Sequence, residues 1–193
     1  SHLVMGYDHA LGKERKGTYH RLQNLQETLK FGLSKVEPIS VGGTIVGSSL
    51  IRKEILYGEI SVANQLLGRL YSLTAKVIHG EKRGRTLGFP TANLALDDMR
   101  KIIPREGVYA VTADFNDKRY HGMCNIGINP TFDGDQKKIE VHFFNFDQEI
   151  YDEALVLHFV ARVRDEHKFK SKEDLIKQIS LDVKTCQALL NQP

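Results

Sequence analysis

Residues 79–94 read HGEKRGRTLGFPTANL and gather glycine, positive charge and short oxygen-bearing side chains in one place. Gly80, Gly84 and Gly88 recur at every fourth position, with Lys82, Arg83 and Arg85 among them. On a helix, three glycines would cost about 1 kcal/mol each relative to alanine. The spacing therefore predicts a loop, whose backbone N–H groups can turn toward an anion while the cations add charge. Neither G-x-x-x-x-G-K-[ST] nor G-x-G-x-x-G is present, and an ordinary tight turn is the plain alternative. Pro90 disfavours helix at Phe89. If 91–93 is extended, Thr91 and Asn93 point the same way. A hydroxyl and an amide carbonyl are neutral oxygen donors that suit Mg²⁺ also held by substrate phosphates. Such side chains also commonly satisfy turn backbone groups, which is the competing explanation.

Two further groups carry candidate chemistry. Glu140 lies in KKIEVHFFNF on the face opposite Ile139, Val141 and Phe143. It faces either solvent, the commoner fate of glutamate, or a ligand. His142 shares its face and is the rival base. Arg164, Asp165 and Glu166 form a charge cluster at a strand-to-helix junction, with Phe169 close behind. The charge pattern alone fits a solvated surface equally well.

These residues need a frame. The chain has 193 residues, with 41% hydrophobic and 26% charged residues, a globular composition. A formal charge of +3 does not mark a dedicated nucleic-acid binder. Cys124 and Cys186 have no metal-ligand spacing, which points to a reducing compartment, and the expected location is cytoplasmic. No apolar run approaches a membrane span, and the N-terminus has no signal-peptide pattern.

The first 69 residues and the rest read differently. Residues 1–69 mix helical spacing (Leu22, Leu25, Leu29) with short extended pieces about Gly42 and Gly43. LVMGYDH reads as the end of a strand from a sheet that continues upstream. From Tyr71 the period becomes two: Leu73, Ala75, Val77; Tyr109, Val111, Ala113, Phe115; Ile139, Val141, Phe143; Leu155, Leu157, Phe159, Ala161, Val163. With pieces near 91–96 and 119–126, about six strands are expected, and they favour a closed antiparallel barrel. Ser171 then caps a helix with Leu175, Ile179, Val183, Cys186 and Leu190 on one stripe.

The 79–94 stretch resembles the motif of the riboflavin kinase family, a glycine-rich loop running into Gly-[Phe/Ile]-Pro-Thr-Ala-Asn. EGVYAV, NIGINPTFDG, IEVHFFNFD and VRDEHKFKSKEDLIKQISLDV are similar to further family segments in the same order, so the resemblance covers about residues 70–190. It implies a mainly β domain over 70–193, a six-stranded antiparallel Greek-key-like barrel with a C-terminal helix. It also implies an ATP-dependent kinase that converts riboflavin to FMN with Mg²⁺. Gly80, Lys82, Gly84 and Arg85 would cover the ATP phosphates, and Thr91 and Asn93 would hold metal and phosphates. Glu140 would take the proton of the ribityl 5′-hydroxyl. Arg164, Asp165, Glu166 and Phe169 would help form the flavin pocket. The partners implied are riboflavin, FMN, ATP and ADP, with no nucleic acid, membrane or protein partner.

Residues 1–69 resemble the last part of the FMN adenylyltransferase domain of bacterial FAD synthetases, an incomplete α/β fragment. Ala10 and Leu11 replace the family's Arg and Phe. Gly47, Ser49 and Leu50 also depart from its pattern, while Ser48, Ile51 and Arg52 match. The expectation is that this chain makes no FAD. A non-catalytic flavin-binding or nucleic-acid-binding barrel is the alternative.

Overall fold

The computed structural model describes residues 1–80, 83–98, 100–131 and 134–191. The chain divides by packing into two compact units, residues 1–47 and 48–193. In the first, β1 (His2–Gly6) and β2 (Gly32–Val36) pair in parallel, joined through α1 (Tyr19–Leu29). The Thr18 side chain caps α1 by accepting from the Arg21 N–H. A small hairpin, β3 (Ser40–Val41) and β4 (Thr44–Ile45), turns at Gly42 and Gly43. No residue of α1 is buried, so this unit has little core of its own.

The second unit begins with α2 (Ser48–Tyr57) and α3 (Ile60–Leu67) and continues through β5 (Tyr71–Ile78), the one-turn helix α4 (Arg83–Thr86) and β6 (Ala92–Leu96). There follow β7 (Gly107–Phe115), β8 (Lys118–Thr131), β9 (Gly134–Phe143), β10 (Ala154–Arg164) and α5 (Lys172–Leu190). Six strands close into a barrel in the order β10-β5-β6-β9-β8-β7, every pairing antiparallel. Pairing β6 with β9 and β7 with β10 makes the connectivity Greek-key-like rather than up-and-down.

Alternation builds the interior. Leu73, Ala75 and Val77, Tyr109 and Val111, Ile139 and Val141, and Leu157 and Phe159 all lie in one buried cluster. Ile55, Ile60 and Ala63 join that same cluster. Asn64 fastens α3 to the barrel rim, donating to the Phe159 carbonyl at 2.9 Å and accepting from the Tyr71 N–H at 2.7 Å. This is why the packing boundary falls at 47/48, whereas the sequence changes period near 70. The alternation read along 155–163 does not run unbroken. β10 shifts register after Phe159, and Val163 leaves the interior to pack with Val108 and Cys186 on the outer wall. A β-bulge inserts one residue and so exchanges the two faces. The FNDKR turn forms as read: Asn116 and Asp117 take positive φ of 48° and 57°, joining β7 to β8.

The outer wall carries a second apolar cluster, where Val108, Ala110 and Met123 meet Ile179, Val183, Cys186 and Leu190 of α5. Ser171 caps that helix by accepting from the Asp174 N–H at 3.1 Å. Farther along the wall, Arg119 grips Asp114 with two bonds of 2.7 and 2.9 Å, and the His158 ring meets the same carboxylate at 2.9 Å. The Arg119 bonds, aided by His158, pull the Asp114 carboxyl down to about 2. A carboxyl depressed on folding stabilises the fold above its unfolded value near 4 and ceases to do so as pH falls through its folded value. Asp114→Asn is therefore expected to lower the melting temperature at pH 6–7, and the deficit should shrink between about pH 4 and 2. A deficit independent of pH across that range, in scanning calorimetry, would show that the carboxylate is not its source.

Candidate active site

Register assembles the polar residues. On β6 and β9, Asn93 pairs with Glu140; on β9 and β8, Glu140 pairs with Asn125. Asn125 pairs with Val108 on β7, and Val108 with Arg164 on β10. One cross-strand row thus runs over the outer wall through Asn93, Glu140, Asn125, Val108 and Arg164. Directly paired residues hold their Cβ atoms about 4.5–5.5 Å apart, so Asn93 and Glu140 are side by side.

The glycines are explained by crowding. A Cβ on Gly80 would lie 1.9 Å from the Asn93 side-chain nitrogen. One on Gly84 would lie 2.3 Å from the Phe89 carbonyl and 3.2 Å from the Thr91 hydroxyl. Gly80 and Gly84 therefore let the backbone at those two positions lie against Asn93 and Thr91, respectively. The loop expectation holds in part: residues 83–86 make the single turn of α4, and the Gly84 carbonyl accepts from the Leu87 and Phe89 N–H groups. Lys82 lies outside the described residues.

Asn93 is 6% exposed, and its Oδ1 is buried without a hydrogen-bond partner. An orphaned buried acceptor costs about 1–3 kcal/mol. Turn satisfaction does not account for it, because this oxygen satisfies nothing among the described residues. Among the described residues no cluster of three or more His, Cys, Asp or Glu side chains could hold a metal. A cation here would be met by neutral oxygens and by whatever anion it accompanies.

Two cavities share Thr91 as a lining residue, while Asn93 itself lines neither. The smaller, about 260 Å³, is also lined by Arg85, Val141, Phe146 and Tyr151. Tyr151 stacks on His79 with ring centroids 4.1 Å apart. The larger, about 820 Å³, lies between the outer wall and the segment leading into α5. Glu140, His142, Lys138 and Asn125 line one side; Arg164, Glu166, Phe169 and Leu175 line the other.

Glu140 is largely buried on this wall and pairs with Lys138 at 3.0 Å. His142, the rival base, is held elsewhere: its Nδ1 lies 2.8 Å from the Pro90 carbonyl. A carbonyl only accepts, so Nδ1 carries the proton and the ring braces the segment that bears Thr91. Burial pushes the Cys124 thiol up and that of Cys186 to about 12, which removes both as nucleophiles.

The residues expected at a flavin pocket separate. Glu166 and Phe169 line the larger cavity. Arg164 lines it too, but its guanidinium is engaged with Asp182 at 2.7–3.0 Å. Asp165 does not line it: its carboxylate pairs with Arg162 at 2.7 Å, which lowers its pKa. Sequence reasoning passed over Lys138, Asn125, Asp182 and the 146–151 segment. Only Asp182 left a signal, a carboxylate on the apolar stripe between Ile179 and Cys186.

The riboflavin kinase family model matches residues 67–190, and the FAD synthetase model matches residues 1–50. A bifunctional riboflavin kinase/FMN adenylyltransferase of Bacillus subtilis (strain 168) is 42% identical over 186 residues, 94% of this chain and 58% of that protein. The Haemophilus influenzae protein of the same description is 36% identical, covering 98% of this chain and 61% of its own length. A solved structure described as a macrolide-efflux protein from Streptococcus pneumoniae superposes with a TM-score of 0.87 at 35% identity, over 97% of this chain and 59% of that one. The chain thus spans about three-fifths of these relatives. No described helix is long and apolar enough to cross a membrane. With the barrel, the glycine-closed Pro-Thr-Ala-Asn segment and the family match over most of its length, the chain belongs to the riboflavin kinase family.

Proposed function

We propose that this chain is an ATP:riboflavin 5′-phosphotransferase that makes FMN and ADP. The observation that carries the reading is the junction: two cavities sharing Thr91, with an orphaned Asn93 oxygen and the Glu140 carboxylate beside it. Transfer between two substrates requires their reacting ends to meet at one place. ATP occupies the smaller cavity, beside Arg85 and the closely packed glycine loop, and riboflavin the larger. Glu140 accepts the proton of the ribityl 5′-hydroxyl as that oxygen bonds to the γ-phosphorus. The bond from the γ-phosphorus to the bridging oxygen breaks, and ADP leaves. Such chemistry needs little more than alignment and charge neutralisation. Thr91 and Asn93 would hold Mg²⁺ together with the phosphates, and the ion would supply charge neutralisation at the transferring group. The expected setting is the cytoplasm, where ATP is available and the two cysteines stay reduced.

Incubated with riboflavin, ATP and Mg²⁺, the chain should yield FMN by chromatography, and FMN with ATP should yield no FAD. The second expectation rests on the FAD synthetase match being confined to residues 1–50. Glu140→Gln should lower kcat by about 10²–10⁴-fold with little change in substrate binding. A parent-like rate would remove Glu140 as the base and leave His142 next in line.

Asn93→Ala and Thr91→Ala should both raise the Mg²⁺ and ATP concentrations needed for half-maximal rate. For Asn93→Ala the metal-free melting temperature should hold or rise, since an unpaired buried acceptor is removed. A large loss of stability in that variant would assign Asn93 a structural role instead.

A further inference from the structure

Asp182 is the most buried charged side chain of the barrel unit, 2% exposed, and it opens onto the larger cavity. Its carboxylate accepts from Arg164 Nε at 3.0 Å to each oxygen, from the second guanidinium nitrogen at 2.7 Å, and from the Gln178 amide at 2.8 Å. The other end of the guanidinium turns to the segment before α5: it donates to the Asp165 carbonyl at 2.8 Å and meets His167 Nδ1 at 3.3 Å. Its face lies 5.8 Å from the Phe169 ring centre. Arg164 is thus a pin between α5 and the 165–169 segment, of which Glu166 to Phe169 form the cavity wall facing Glu140.

Bracing α5 alone does not require a charge. An apolar side chain at 182 would extend the stripe of Ile179, Val183 and Cys186, and replacing a buried ion pair by packed apolar groups is often neutral or stabilising. What an apolar residue cannot do is aim a guanidinium. Residues 165–168 are exposed, so the segment has little apolar burial to fix its shape. The grip on its backbone and on His167 comes through Arg164.

We propose that Asp182 is a positioning residue: acting through Arg164, it sets the 165–169 segment so that its 166–169 wall has the shape that receives the flavin substrate. The identity of that ligand rests on the kinase reading above; the grip itself does not. Arg164 then shapes the pocket and is not itself the group that recognises the ligand. The nucleotide side touches none of this, since no residue after Tyr151 lines the smaller cavity.

The test compares the full chain with Asp182→Asn and Arg164→Lys. Arg164→Lys keeps a cation beside Asp182 but removes the planar fork that also reaches the Asp165 carbonyl. Both variants should raise KM for riboflavin about ten-fold or more, with KM for ATP within about two-fold and kcat largely kept. Amide hydrogen exchange, measured without substrate, should quicken about ten-fold or more across 165–170 and remain parent-like in the barrel strands. Equal loss toward both substrates with a lowered melting temperature would make the pair a brace only and overturn the proposal. So would an unchanged riboflavin KM in Arg164→Lys, which also decides the matter if Asp182→Asn does not fold. If the parent chain makes no FMN, the kinase reading fails by itself. The exchange measurement still decides the clamp: faster exchange confined to 165–170 supports it, and unchanged exchange there overturns it.

Discussion

In a closed six-stranded barrel the inner face of every strand is filled by side chains of its neighbours, so only one of the two alternating sets can lie inside. Here Ile139, Val141 and Phe143 take that place on β9, and Leu94 takes it on β6. Their burial fixes the pairing register, because a slip of one residue would carry Glu140 inward and a phenylalanine out. Once the register is fixed, so is the outer row from Asn93 through Glu140 and Asn125 to Arg164. The apolar inner set, which touches no ligand, is therefore what places a neutral oxygen donor beside a carboxylate. Closure also leaves no sheet edge, so the outer wall can be polar in one sector and covered by α5 in another.

Two buried polar groups, Asn93 on the wall and Asp182 on the helix that covers it, show opposite solutions to the same problem. Asp182 has its carboxylate fully engaged and costs nothing in unmet hydrogen bonds. Asn93 leaves its oxygen unmet, an expense the free protein bears. The first arrangement fixes a shape. The second leaves an acceptor that the proposed metal would complete, with the Gly80 backbone packed against the same side chain. Buried polar residues thus differ in use according to whether the protein or a ligand completes them.

Much of this was legible in the sequence because period-two alternation is a strong signal in a barrel. Leu73 to Val77, Tyr109 to Phe115 and Ile139 to Phe143 lie on the inner face as read. The reading failed where a single residue changes the geometry. Past the register shift after Phe159 the same alternation points the other way, so Val163 lies outside, and a second shift between Arg162 and Arg164 brings Arg164 into the row of Glu140. Glycine-rich spacing argued against helix over 80–88, yet one turn forms at 83–86, since a single turn anchored by the Gly84 carbonyl bears little of the propensity cost of a long helix. Arg164 and Asp165 are neighbours in sequence and look like one cluster. Arg164 closes β10 while Asp165 already lies beyond it, and each has found a different partner: Asp182 for the first, Arg162 for the second. The 146–151 segment gave no pattern at all, because it lines its cavity from an irregular connection between β9 and β10.

The division of labour between strands and connections follows from what each must do. The atoms at the junction of the two cavities have to keep their spacing within a fraction of an ångström, since misplacement by about 1 Å can cost on the order of 10²-fold in rate. Asn93 and Glu140 accordingly sit on paired strands in the best-packed part of the chain, with Thr91 one step before β6 and braced from His142. The surfaces that would enclose the proposed substrates can come from less regular chain, and both cavities have such a wall: residues 146–151 for one, 166–172 for the other. Such chain keeps no shape through ladder hydrogen bonds and needs local ties. His79 stacked on Tyr151 serves one side, and Arg164 held by Asp182 serves the other. A barrel can thus hold its reacting centre constant while the chain around each cavity is shaped separately, by a tie whose anchor lies on regular structure and whose grip lies on a loop.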